Sequence, residues 1–248
     1  MRGEPIFRDR TEAGEALARL VIQNLRPAEQ RGLIASSLRP AEERGLIPRE
    51  IHDRKPLVLA LPRGGVPVAY QVAAALNAEL DVFVVRKIGL PGQEELAIGA
   101  VAGGGMRVLN NDLVQELQLS PDLIDQLTAR EENELEQREN SYRQGRPAIP
   151  ICGRTVILVD DGLATGASMK AAYEGVRLQN PNRLVVAVPV AARQTCAEFT
   201  NHVDQVICAY TPVPFVAVGV WYEDFSQTSD AEVQELLRKA ASFSKATP

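Results

Sequence analysis

The sequence predicts an α/β fold, a parallel sheet flanked by helices. Three observations carry this. Apolar runs rich in Val, Ile and Leu alternate with segments of helical spacing along most of the chain. The runs are nearly continuous, so both faces of each strand are buried, as a parallel sheet covered by helices requires. The unusual glycine-rich and charged stretches fall where strands end, which is where such sheets bind ligands.

Taken in order, "PLVLAL" (56–61) reads as a buried strand, and "VPVAYQVAAALNA" (66–78) follows with helical spacing. "DVFVVRKI" (81–88) reads as a second strand, and "RVLN" (107–110) as a short one before the helix "NDLVQELQL". Ser120 as N-cap and Pro121 at the first helical position open a long polar helix reaching about Tyr142. "TVILV", "RLVVAVPVA" and "DQVICAY" supply three further strands, with the helices "ASMKAAYEGVRLQN" and "RQTCAEFTNH" between them. The chain from 1 to 248 is read as a single domain. Within it "LRPAEQRGLIASS" (25–37) is nearly copied by "LRPAEERGLIPRE" (38–50), a tandem duplication expected on the surface, since two copies are too few for a solenoid.

Composition excludes several function classes. The 248 residues are 45% hydrophobic and 24% charged with a net charge of −5, so no bulk attraction to nucleic acid or anionic membrane is expected. No apolar run approaches a bilayer span and the stretch "MRGEPIFRDRTEAGEAL" has no signal-peptide core, so a cytoplasmic protein is expected. Cys152, Cys196 and Cys208 form no C-x-x-C pair and read as small apolar filler in a reducing compartment. His52 and His202, the only histidines, have no cluster of ligands or nucleophile around them, which disfavours zinc and a Ser-His-Asp triad.

The chemistry concentrates in "VDDGLATGAS". A strand ending at Val159 puts Asp160 and Asp161 at the sheet edge. The helix that follows points unpaired N–H groups and its positive end at the turn. Gly162 and Gly166 allow close backbone approach, Thr165 and Ser168 add hydroxyls, and Ala164 and Ala167 complete a cradle for a phosphate monoester. It lacks a Walker lysine, and its glycines do not follow the dinucleotide spacing. Two adjacent carboxylates are costly without a ligand; they can accept hydrogen bonds from vicinal sugar hydroxyls and face a Mg²⁺ ion. Phosphate and diol together describe a ribose 5-phosphate. In "LPRGGVPVA", Arg63 with Gly64 and Gly65 suits a diphosphate. "VVRKIGLPGQEELAIGAVAGGG" opens on Arg86 and Lys87 and is rich in glycine, which predicts a mobile loop from Ile88 to Gly105 over a polyanion; Glu94 and Glu95 read as a solvated pair. In "FVAVGVWYEDFSQ", Trp221 and Tyr222 are open to two readings, a stacking platform for a planar ring or core packing.

The run from Val156 to Ser168 resembles the signature of the type I phosphoribosyltransferases, which bind 5-phosphoribosyl 1-pyrophosphate. The resemblance implies that Arg63–Gly65 is the pyrophosphate loop, that the 88–105 loop closes over substrate, and that the segment of Trp221 and Tyr222 is the hood that stacks on the base. "RKIGLP" and "VDDGLATGAS" are similar to adenine phosphoribosyltransferase, which has Ala where Ala164 stands; the hypoxanthine–guanine enzymes usually carry Asp there. The four motifs together also resemble a bacterial group of predicted phosphoribosyltransferases, from Phe7 to about Leu237. The implied reaction transfers ribose 5-phosphate to a nitrogen heterocycle, a purine before a pyrimidine, and releases pyrophosphate. Asp160, Asp161, Arg63 and Lys87 would act on the donor, with Mg²⁺ at the two aspartates. The implied partners are phosphoribosyl pyrophosphate and an unidentified acceptor base, without DNA or membrane, and a homodimer is one assembly open to such a chain. A non-catalytic nucleotide-binding regulator and a phosphoribosyl or nucleotide hydrolase are the other readings of the same residues.

Overall fold

The computed structural model describes residues 4–25 and 55–243, the side chains of residues 93–95 excepted. Residues 26–50 of the tandem duplication, His52, and the side chains of Glu94 and Glu95 lie outside what is described. Elements are numbered in chain order among the described residues. Five parallel strands form the main sheet: β1 (Leu57–Ala60), β2 (Glu79–Val82), β6 (Thr155–Val159), β7 (Arg183–Val190) and β8 (Gln205–Tyr210), in the order β2-β1-β6-β7-β8. In β6, Ile157 and Val159 face one core cluster while Val156 and Leu158 face the other. That two-sided burial is why the strand shows no polar alternation.

One face is covered by α1 (Arg10–Leu25), α2 (Gly65–Leu76) and α7 (Asp230–Ala240), the other by α5 (Ala167–Leu178) and α6 (Arg193–Phe199). α1 crosses α2 closely because Gly14 carries no side chain; a Cβ there would stand 2.8 Å from the Val68 carbonyl oxygen. Neither α1 nor α7 is among the elements expected from the sequence, yet each carries a cap. The Asp9 carboxylate accepts from Glu12 N at 2.9 Å, and Ser229 Oγ accepts from Glu232 N at 3.1 Å. Ser120 caps α4 (Pro121–Arg143) as expected, accepting from Leu123 N at 3.3 Å.

Two expectations change. The run 81–88 is not one strand: β2 ends at Val82, Phe83 and Val84 are buried at the turn, and the chain enters β3 (Val85–Leu90) in a separate sheet. The stretch 88–105 is not an irregular loop either. β3, β4 (Gln93–Ala102) and β5 (Met106–Leu109) form an antiparallel flap, with α3 (Asn111–Glu116) after it and α4 packed on its face. Glycine there serves close strand approach, since a Cβ at Gly99 would strike the Val108 carbonyl oxygen. The cysteine reading is also corrected. Cys196 on α6 and Cys208 on β8 form a disulfide, their Cα atoms 6.6 Å apart, because the helix folds back onto the strand beside it; only Cys152 is free. Among the described residues no helix is long and apolar enough to cross a membrane.

Candidate active site

Parallel pairing of β1 with β6 sets Ala60 beside Val159, so the loops leaving both strands emerge together. The Arg63–Gly65 turn therefore packs directly on the acidic pair. A Cβ at Gly64 would overlap the Asp161 carboxylate, and one at Gly65 would come within 2.8 Å of the Val159 carbonyl oxygen. Arg63 lies 3.7 Å from Asp230 at the start of α7, and Tyr142 donates to the same Asp230 oxygen at 3.0 Å.

Asp160 accepts from the backbone N–H of Asp161 at 2.9 Å. Burial pushes the Asp160 carboxyl well above the usual carboxylate range, and the neighbouring Asp161 pushes it further. Burial raises Asp161 too, offset by Arg10, whose Nε donates to its Oδ2 at 2.8 Å. Among the described residues no group of three or more His, Cys, Asp or Glu is placed to hold a metal. A pair of carboxylates nevertheless fits Mg²⁺, which keeps several waters and takes one or two carboxylates plus substrate phosphates.

The turn after the pair is braced from behind. Leu163 is buried and bonds both Val190 and Ala192 through its backbone. Thr195 Oγ1 donates to the Ala164 carbonyl at 2.7 Å. Gly166 adopts φ 74°, and a Cβ there would meet the Phe199 ring at 2.7 Å. Because no side chain caps α5, its first N–H groups remain directed at the turn, with Thr165, Ala167 and Ser168 exposed around it. Gly162 lies under Val218 of the hood.

The hood joins the segment before α1 to the segment between β8 and α7. Phe7 pairs with Tyr222, Ile6 and Phe7 N–H groups donate to the Trp221 carbonyl at 3.0 Å, and Glu223 N donates to Phe7 O at 2.9 Å. Trp221 and Tyr222 are 6% and 4% exposed, packed with Phe7, Ala13 and Val190. Tyr222 Oη donates to the Asp161 carbonyl at 2.6 Å, and burial holds its phenol protonated. Of the two readings for these rings, core packing is the one their burial fits. The hood ring open to solvent is Phe225, 37% exposed, with the Arg10 guanidinium 4.0 Å above its centroid.

The flap cations lie on β3, a strand of the smaller sheet. Arg86 bonds Glu131 on α4 at 2.7 Å, and Lys87 is exposed on β3. The structure thus brings together Arg63, Gly64, Gly65, Asp160, Asp161 and the turn to Ser168, while Arg86 and Lys87 remain on a separate element. Arg10, Thr195, Phe225 and Asp230 were missed by sequence reasoning. Only Arg10 and Asp230 had a readable signal, each opening a helix just after a capping residue.

A phosphoribosyl transferase domain model matches residues 46–223. Two Mycobacterium tuberculosis proteins, from strains CDC 1551 and H37Rv, are each 47% identical over 184 residues, covering 74% of this chain and 42% of theirs. Both carry the name "Putative phosphoribosyl transferase", and this chain spans less than half their length. The crystal structure of TT1426 from Thermus thermophilus superposes with a TM-score of 0.72 at 39% identity, covering 94% of this chain and 98% of that one. With the domain model spanning most of the chain and these relatives agreeing, the chain belongs to the phosphoribosyl transferase domain family.

Proposed function

We propose that the protein is a cytoplasmic phosphoribosyltransferase that moves ribose 5-phosphate from phosphoribosyl pyrophosphate to a planar nitrogen heterocycle. The observation that carries this is the convergence, at the carboxyl ends of β1 and β6, of an arginine–glycine turn, an acidic pair and an anion-binding turn. The turn from Ala164 to Ser168 holds the 5-phosphate through backbone N–H groups and the Thr165 and Ser168 hydroxyls. Asp160 and Asp161 accept the ribose hydroxyls. Arg63 and the N–H groups of Gly64 and Gly65 take the pyrophosphate, and Arg86 and Lys87 meet it when the flap approaches.

With the donor fixed, the bond from C1 to the pyrophosphate oxygen breaks, a ring nitrogen of the acceptor bonds to C1, and the nitrogen's proton leaves to solvent. Positive charge develops on the ribose, as in glycosyl transfer generally, and the carboxylates below it favour that charge. Mg²⁺ bound at Asp160 and Asp161 would supply charge neutralisation to the leaving group. The acceptor ring stacks on Phe225, the exposed hood ring, rather than on the buried Trp221 or Tyr222. A purine is the preferred class, from the likeness of "RKIGLP" and "LATG" to the adenine enzymes.

Pyrophosphate release from the donor, with Mg²⁺ and a panel of purines and pyrimidines, tests the reaction directly. The expected result is release dependent on one base. Steady release in water alone would instead establish a hydrolase, and tight nucleotide binding without turnover a regulator.

A further inference from the structure

Arg10 belongs to none of the motifs that define the site, yet its guanidinium sits at the centre of it. It is the first residue of α1, and the strand-like segment before it is hydrogen-bonded to the hood. Three contacts hold the side chain: Nε on Asp161 at 2.8 Å, NH1 on the Ser226 carbonyl at 2.6 Å, and the plane of the group over Phe225 at 4.0 Å. It is only 11% exposed. A Cβ at Gly64 would come 3.2 Å from its Nε while striking Asp161. The pyrophosphate turn, the carboxylate and the guanidinium therefore share one point of contact.

We propose that Arg10 is a donor-binding residue whose guanidinium exchanges Asp161 for the pyrophosphate of the donor as the ribose hydroxyls take over that carboxylate. The proposal rests on the donor assigned above. The exchange leaves every charge partnered in both states. In the empty site the Arg10 N–H groups satisfy Asp161; in the filled site sugar O–H groups satisfy it, and the guanidinium meets phosphate oxygens beside Gly64. Leaving either charge buried and unpaired would be the costly outcome, and the swap avoids it. A guanidinium fork also suits phosphate oxygens better than an ammonium does. The same movement draws the group off Phe225 and bares that ring, so the donor binds before the acceptor.

Calorimetry with phosphoribosyl pyrophosphate in the presence of magnesium and, separately, ribose 5-phosphate tests this on the wild-type chain, Arg10→Met and Arg10→Lys. Arg10→Met should weaken binding of the donor by about tenfold to a hundredfold, the range of a lost charge-assisted hydrogen bond. Ribose 5-phosphate, which lacks the pyrophosphate, should bind as in the wild type or more tightly, because its hydroxyls no longer compete for Asp161. Arg10→Lys should recover part of the donor affinity, and it keeps the proposal testable if Arg10→Met does not fold. Equal donor affinity in the wild type and Arg10→Lys, together with equal or tighter affinity in any folded Arg10→Met, would overturn the exchange and leave Arg10 a structural clamp or a plug. If the wild type bound neither ligand, the donor assignment itself would fall, and this inference with it.

Discussion

Asp160 illustrates how a binding group is maintained at a cost to the fold. Its carboxyl titrates above the usual range in the folded chain because burial and the adjacent Asp161 both oppose its charge. A folded-state value above the unfolded one means that the folded form holds more protons in the window between them. Stability contributed by this group is therefore full below the ordinary carboxylate value and is lost as pH rises through the folded one. Asp160→Asn should stabilise the empty protein by about 0.5–2 kcal/mol at neutral pH while abolishing donor affinity. Urea denaturation at about pH 4 and at about pH 8 checks the sign, since the gain should shrink toward the acid end. A gain that grew with acidity would contradict the buried, proton-retaining carboxyl. A second test at this scale concerns the hood rings. Phe225→Ala should raise the acceptor KM and spare donor affinity, since stacking is worth about 1–3 kcal/mol per base. Trp221→Ala, which empties a packed site, should instead cost about 3–5 kcal/mol of stability. Steady-state kinetics beside thermal melting separates the two, and the opposite assignment of effects would return the stacking role to Trp221.

The elements that sequence made legible are those whose local chemistry agrees with their place in the fold. β6, α5 and the turn between them were readable because one stretch holds an unbroken apolar strand, an acidic pair and a glycine turn. In the flap, β5 was readable from "RVLN", but β4 was not, since Ala97, Gly99, Ala100 and Ala102 lack the β-branched side chains that announce a strand, and its pairing is cross-strand rather than local. Of the glycines that read as loop residues, Gly99 serves close strand packing. The disulfide was equally invisible, because it depends on α6 lying back against β8, and spacing alone does not show that. α6 has a consequence for the site: through Thr195 and Phe199 it supports the turn that receives the phosphate. Thr195→Val removes the hydroxyl but keeps the volume, leaving the Ala164 carbonyl without its donor. The expected result is ribose 5-phosphate affinity reduced by about threefold to tenfold, the worth of one neutral hydrogen bond, read by calorimetry. Unchanged affinity would show that the turn holds its shape without the brace.

At the scale of the whole molecule, the site is closed by joining the segment that enters α1 to the segment between β8 and α7. The parallel sheet supplies the donor-binding loops, but the roof over them is built from residues 6–10 together with 221–226. Phe7 is the anchor of that joint. It is 3% exposed, its ring lies 5.6 Å from Tyr222 and 5.5 Å from Tyr210, and its backbone bonds Trp221 and Glu223. Tyr222 in turn reaches the Asp161 carbonyl, and Arg10 links the Asp161 carboxylate to the Ser226 carbonyl, so the hood is tied to the acidic loop at two points. A defect at Phe7 should therefore be felt in the roof before it is felt in the sheet. Phe7→Ala is expected to cost about 3–5 kcal/mol if the hood unfolds only with the rest of the chain, and less if the hood releases on its own. Hydrogen exchange distinguishes these cases: independent release would deprotect the amides of Ile6, Phe7, Tyr222 and Glu223 while β1 and β6 stay protected. In that case ribose 5-phosphate would still bind, held by the sheet loops, and the acceptor would lose its ring at Phe225. Uniform loss of protection across sheet and hood would instead make the roof part of one cooperative unit, with donor and acceptor sites failing together.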